Sequence, residues 1–219
     1  MYFTQKFERE HIDADYCLYA LDDLGDITRL MQYLHGFNVT YPYKEQILPY
    51  LHGIDAVAQR IGAVNVVCQG RGYNTDWLGF MQSIQPYLLP SDQQVLLLGT
   101  GGVSKAVQYA LQEMQLRYTC VSRHPGEHQL AYHQLTREVM EQHTVIVNCT
   151  PLGMLPEVDT CPSIPYEYIT PAHLLYDCVY NPERTLFLQN GQRQGARILN
   201  GKQMLYLQAD AAYEIWNKI

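Results

Sequence analysis

The sequence predicts an α/β protein whose larger part is a doubly wound parallel sheet. Three observations carry this. The runs "QVLLLG", "YTCVSR", "TVIVNCT" and "LLYDCVY", all beyond residue 93, are almost continuously apolar, as strands covered on both faces must be. Helical or loop material separates them, the spacing that parallel crossovers need. After the first run, Val103, Ala106, Val107, Ala110, Leu111 and Met114 recur at the α-helical period and mark one buried face.

The first 73 residues read differently. "FTQKFEREH" is a charged helical start, "YCLYAL" a short strand, and a helix follows near residues 26–35. A strand then runs into "NVTYPYKE", and a second helix is expected from Tyr43 to about Gln59, interrupted near Pro49. "IGAVNVVCQGRGYNTD" reads as a hairpin, with β-branched runs flanking the turn residues Gln69-Gly70-Arg71-Gly72. A helix over residues 75–88 leads to the linker Pro90-Ser91-Asp92. At the far end, "KQMLYLQADAAYEIWNKI" is amphipathic: Met204, Ala211, Ala212 and Ile215 line one side, with Gln208 among them. A polar group there needs a partner or a wet cleft.

The 219 residues suffice for one large α/β domain or two small ones, and a content of 47% hydrophobic and 17% charged residues is that of a chain with a core. A formal charge of −7 without any dense basic run argues against a nucleic-acid partner. Six cysteines at 17, 68, 120, 149, 161 and 178 form no C-x-x-C pair, and most lie in apolar runs, so free thiols are expected. His124, His128 and His133 come nearest to metal-ligand spacing but lack an acidic or cysteine companion, so no metal is expected. No signal-peptide pattern and no membrane-length apolar run is present; cytoplasm is the expected compartment, without membrane association.

Gly99-Thr100-Gly101-Gly102-Val103-Ser104 follows a strand and opens a helix. Gly99 permits a tight turn, Gly101 lets backbone approach a pyrophosphate, and small Ser104 allows close strand–helix packing. The anion would sit on the N–H groups of the helix start. The next strand ends in Val121-Ser122-Arg123, where NAD enzymes usually carry an acid for the ribose hydroxyls. An arginine there can instead pair with a 2′-phosphate, which favours NADP.

Seven motifs, "NVTYPYK", "IGAVNVV", "GYNTDWLGF", "LLLGTGGVSKAV", "VNCTPLGM", "YDCVYNP" and "NGKQMLYLQADAAYEIW", resemble the shikimate dehydrogenases in order and spacing, across the whole chain. The resemblance implies a substrate-binding α/β domain over residues 1–77 and a Rossmann-type NADP domain over 78–200. Residues 201–219 would form a helix returning to the first. It implies NADP-dependent reduction of 3-dehydroshikimate to shikimate, on the way to aromatic amino acids and chorismate, by a monomer or homodimer.

Carried over residue by residue, Lys44 matches the catalytic lysine and Asp76 its acidic companion. Asn38, Thr40, Asn65, Tyr180 and Gln208 match substrate-contacting positions. Gly99, Thr100, Gly101, Gly102, Val103 and Ser104 match the pyrophosphate turn, and Ser122 and Arg123 the 2′-phosphate grip. Thr150, Cys178, Gly201 and Met204 fall where the family borders the nicotinamide. Family members open with a strand and loop of the form G-x-P-x-x-H-S-x-S, whose serines bind the substrate carboxylate; this sequence begins at the segment after it. Two other readings stay open: a quinate/shikimate dehydrogenase preferring NAD, and a truncated nucleotide-binding homologue with impaired catalysis.

The chemistry asked of these residues is plain. Reduction of a ring ketone needs a hydride at carbon and a proton for the developing alkoxide. An ammonium at Lys44 can give the proton and stabilise the oxygen's charge. Asp76 would fix its geometry, and neutral Asn65 and Gln208 would orient hydroxyls without adding charge. Taken singly, Lys44 reads as a solvated helix-start lysine, Asp76 as an N-cap and Asn65 as a turn residue.

Overall fold

A computed structural model describes residues 2–218 and contains two sheets. The first has β1 (Gly36–Asn38), β2 (Gly53–Ile54), β3 (Val66–Cys68) and β4 (Arg71–Tyr73) in the order β1-β3-β4-β2. Strand β3 pairs antiparallel with β1 and β4, and β2 joins β4 in parallel. The hairpin turns on Gln69 and Gly70 alone, at φ of 47° and 75°. A two-residue turn with both centres at positive φ suits strand twist, so Arg71 and Gly72 belong to β4 rather than to a four-residue turn.

Around this sheet lie α1 (Tyr2–Glu10), α2 (Ile27–Tyr33) and α3 (Ala56–Ile61). The expected helix from Tyr43 to Gln59 does not form. The chain turns through 41–47, makes one 3-10 turn over Leu48–Tyr50, enters β2, and only then starts α3. Pro49 lacks the N–H a continuing helix needs. Asp55 caps α3 by accepting from the Val57 amide, and Gly62 ends it in the left-handed region. Nor is "YCLYAL" a strand: residues 12–21 have no regular structure, and Leu18 is 92% exposed. Among the described residues no strand runs beside it, and strand propensity is realised only through a paired, packed neighbour. A hollow of about 560 Å³ separates this segment from β1 and the turn that follows.

Helix α4 (Asp76–Ile84), closed by a 3-10 turn at Gln85–Tyr87, leads to the second sheet. Its strands are β5 (Gln94–Leu98), β6 (Arg117–Ser122), β7 (Leu130–Ala131), β8 (Val145–Asn148), β9 (Leu174–Asp177) and β10 (Arg197–Asn200), interleaved with α5 (Gly102–Glu113), α6 (Arg137–Gln142) and α7 (Leu186–Arg193). All pairs are parallel, in the order β10-β9-β8-β5-β6-β7. Alternate residues face two cores. Val95, Leu97, Val145, Val147 and Tyr176 pack with Phe80 of α4 and Val107 and Leu111 of α5. Leu96, Leu98, Ile146 and Leu175 pack with Met140 of α6 and Phe187 and Leu188 of α7. Each such fully buried side chain contributes about 1.5–3 kcal/mol. Sheet order reverses between β5 and β8, which opens a crevice at their carboxyl ends, where ligands of open α/β sheets bind.

Helix α8 (Lys202–Asn217) leaves β10 and crosses α4 to reach the first sheet. Gly79 makes that crossing close: a Cβ there would stand 2.7 Å from the Met204 carbonyl oxygen. The buried face of α8 is Met204, Ala209, Ala212, Tyr213 and Trp216. It differs from the expected Ala211–Ile215 side because the far half packs on Phe3 and Phe7 of α1 and on Val66 and Cys68 of β3. The Trp216 indole donates to the Val67 carbonyl at 3.1 Å, and Lys6 of α1 pairs with Asp210. Among the described residues no helix is long and apolar enough to cross a membrane.

Candidate active site

The turn after β1 places Lys44 beside the strand end leading into β3, where the Lys44 carbonyl accepts from the Val64 amide at 2.8 Å. Its side chain is only 15% exposed, and Nζ donates to Asp76 Oδ2 at 2.7 Å. Asp76 is the first residue of α4, where the helix dipole favours a carboxylate. Its amide donates to Asn74 Oδ1 at 3.0 Å, and the Asn74 side chain donates to the Ala63 carbonyl at 2.9 Å. The helix cap is Thr75, not Asp76.

Asn65 is buried at the centre of the cluster. Its Nδ2 lies 3.0 Å from Asp76 Oδ1, 3.0 Å from Thr75 Oγ1 and 3.2 Å from Gln208 Oε1, three acceptors for two hydrogens. Its Oδ1 accepts from the Thr75 amide at 2.7 Å. Thr75 Oγ1 donates to the Gln208 carbonyl at 3.0 Å, so α8 is tied to the start of α4. Asn38 joins through the Asn65 carbonyl, to which its amide donates at 3.3 Å. Thr40 and Tyr180 are exposed, the latter 47%, and neither hydrogen-bonds to the cluster.

Lys44, Asp76, Asn65, Gln208 and Asn38 thus lie together, while Thr40 and Tyr180 stand apart. Three positions that hold this cluster, Asn74, Thr75 and Gly79, were not singled out from the sequence. The readable signal was the run Asn-Thr-Asp at a strand-to-helix junction, since Asn side chains there bond backbone two residues on.

Across the crevice is the glycine turn. Gly99 has φ 100°, a conformation that favours glycine, and a Cβ there would press on Thr150 Cγ2 at 2.9 Å. Gly101, in contrast, has nothing within 4 Å of where a Cβ would stand. Helix α5 starts without a side-chain cap, and its first backbone bond runs from the Lys105 amide to Gly101 O. Thr100 and Gly101 therefore present open backbone at a twelve-residue helix's positive end, which fits a pyrophosphate, while Gly102 packs toward Lys44. Val103 is part-buried against the core, and Ser104 is buried and bonded to Gln108, so these two pack the turn rather than face the crevice.

Ser122 Oγ accepts from the His124 amide, and Arg123 stands exposed at the end of β6. Both line a hollow of about 420 Å³ with Tyr132, His133 and Ser163. Among the described residues no carboxylate pairs with Arg123, which leaves its guanidinium available to a phosphate.

The ends of β8 and β9 complete the wall. Thr150 donates through N–H and Oγ1 to Asn148 Oδ1. Gly201 is buried against Cys178: a Cβ there would lie 2.3 Å from the Cys178 carbonyl oxygen. Met204 is buried beside α4. Beneath them Asp177 accepts from Asn148, the Val179 amide and Thr185, yet burial outweighs these bonds and pushes its carboxyl up to about 7.

The chain is similar to known proteins in sequence and in fold. A family model described as the shikimate dehydrogenase substrate binding domain matches residues 1–67. A protein of Clostridium botulinum (strain Hall) named shikimate dehydrogenase (NADP(+)) is 35% identical, over 96% of this chain and 88% of its own. The crystal structure of the Aquifex aeolicus shikimate dehydrogenase superposes with a TM-score of 0.87 at 28% identity, covering 100% of this chain and 86% of that one. The shikimate 5-dehydrogenase of Thermus thermophilus, solved with NADP(H) and shikimate, superposes at 0.83 and 29% identity, over 97% and 85% of the two chains.

Proposed function

The chain belongs to the shikimate dehydrogenase family, and from that premise we propose how its residues divide the work. It is an NADP-dependent oxidoreductase that reversibly reduces 3-dehydroshikimate to shikimate, a step toward chorismate and the aromatic amino acids. When bound, NADPH supplies the hydride. Lys44, as an ammonium, gives its proton to the ketone oxygen as negative charge develops there, and takes it back in the reverse direction.

Asp76 aims that ammonium: with one oxygen on Lys44 and the other on Asn65, the carboxylate cannot rotate without breaking a bond. Its remaining lone pairs accept a substrate hydroxyl next to the reacting carbon. Asn65 and Gln208 orient further hydroxyls, and Asn38, Thr40 and Tyr180 form the rim. On the cofactor side, the Gly99–Gly102 backbone holds the pyrophosphate with Val103 and Ser104 packed behind it. Ser122 and Arg123 hold the 2′-phosphate, while Thr150, Cys178, Gly201 and Met204 wall the nicotinamide. Residues 1–77 with the helix from 201 form the substrate part, and 78–200 the cofactor part.

The single observation behind this reading is the Lys44–Asp76 pair at 2.7 Å, largely buried and beside the glycine turn. Purified protein given shikimate and NADP should accumulate reduced nicotinamide, followed by its absorbance. Protein that binds NADP and shikimate but never produces NADPH would overturn it.

A further inference from the structure

Two thiols lie at the crevice with no part in the reaction just described as donors or acceptors of protons. Cys149 follows β8 and Cys178 follows β9; Asn148 pairs with Asp177, so the cysteines are the next residues in register. Their sulfurs are 3.9 Å apart, and both are half-buried on the sheet face that carries α4, α5 and α8. Neighbouring strands are about 4.8 Å apart, inside the Cα separations of about 4.4–6.8 Å that a disulfide spans. The Cys149 and Cys178 amides are bonded to Leu98 and Asn148, which holds the two residues side by side.

We propose that Cys149 and Cys178 are a redox modification site, oxidised by hydrogen peroxide to a disulfide that closes the enzyme down reversibly. One thiolate sulfur attacks a peroxide oxygen, breaking the O–O bond; the cysteine becomes a sulfenic acid and one water leaves. The second sulfur displaces that oxygen as a second water and forms the S–S bond. The two thiols lose two electrons and both protons, and the peroxide takes them all. The hydrogen bond to Cys149 together with burial holds the Cys178 thiol well above the ordinary cysteine range.

Closing the bond draws the sulfurs from 3.9 Å to about 2.05 Å and pulls on the strand ends that carry Thr150 and lead to Tyr180. Only the activity arm of the test rests on the reading of the site given above; the cross-link itself does not. In a Cys17→Ser background, which removes the exposed thiol, reduced protein is treated with hydrogen peroxide, alkylated, digested and mapped by mass spectrometry. The expected result is a Cys149–Cys178 cross-linked peptide and at least about a tenfold loss of turnover, restored by dithiothreitol to within about twofold. Cys149→Ala keeps its turnover through the same treatment.

Peroxide inactivation of Cys149→Ala equal to that of the parent would overturn the proposal. So would a map without the 149–178 link, which decides the matter even if Cys149→Ala fails to fold. A cross-link in protein that has no activity before oxidation would sink the assigned enzymatic function and leave this site standing.

Discussion

Lys44 stands over Gly102: a Cβ added to Gly102 would lie 3.2 Å from Cβ of Lys44. The residue that opens α5 at the glycine turn therefore packs on the stem of the proton donor. A side chain at Gly102 would press on the Lys44 stem and meet Ala63. A buried ammonium this close to the glycine turn, and bonded to Asp76, is the arrangement on which the proposed proton transfer rests.

Replacing Lys44 with Ala should lower kcat by about 10²–10⁴-fold with NADP binding retained, as loss of a general acid does. It also leaves the Asp76 carboxylate buried without its partner, a cost of about 3–5 kcal/mol. Steady-state rates and a urea melt separate the two effects. An equally fast variant would remove Lys44 from the mechanism.

Gln208→Ala and Asn65→Ala should part company. Gln208 is half-buried; its side chain accepts from Asn65 at 3.2 Å and donates to the Leu205 carbonyl of its own helix at 3.0 Å. Its loss should raise KM for shikimate about three- to tenfold and leave kcat near wild type at a small cost in stability. Asn65 satisfies the Thr75 amide and Asp76 Oδ1, and removing it should cost stability by about 1–3 kcal/mol for each group left bare. Thermal melts beside kinetics decide this, and identical profiles would contradict the two roles.

Arg123→Ala should raise KM for NADP at least about tenfold and leave that for NAD unchanged, the outcome expected of a guanidinium that pairs with the 2′-phosphate. Equal losses with both cofactors would assign Arg123 to folding.

The Asp177 carboxyl keeps its proton to about pH 7 in the folded state, against an ordinary value of 3.8. Between those values the folded chain binds more protons than the unfolded one. Stability should then fall as pH rises, by on the order of 4 kcal/mol across the window, and level off above it. Asp177→Asn, which stays neutral, should flatten that slope in denaturant melts at pH 4.5 to 8. A slope that survives the substitution would place its origin elsewhere.

What the sequence determined by itself was whatever depends on neighbours in the chain. Apolar runs specified β5, β6, β8 and β9; the period from Val103 to Met114 specified α5; the glycines from 99 to 102 specified a turn, of which Gly99 takes a φ that favours glycine. The motif order pointed to Lys44, Asp76, Asn65 and Gln208. Tertiary structure decided the rest. A strand needs a partner, so "YCLYAL" stayed irregular, and the stretch from Tyr43 to Gln59 was divided by caps and a β2–β4 pairing whose partners lie eighteen residues on. That Asn65 is shared between α4 and α8, joining residues 143 apart in the chain, and that Gly79 lets these helices close on each other, follow from the crossing of α8 over α4. Local propensity acts over a few residues, whereas packing joins residues by distance in space, and the site is made where the two meet.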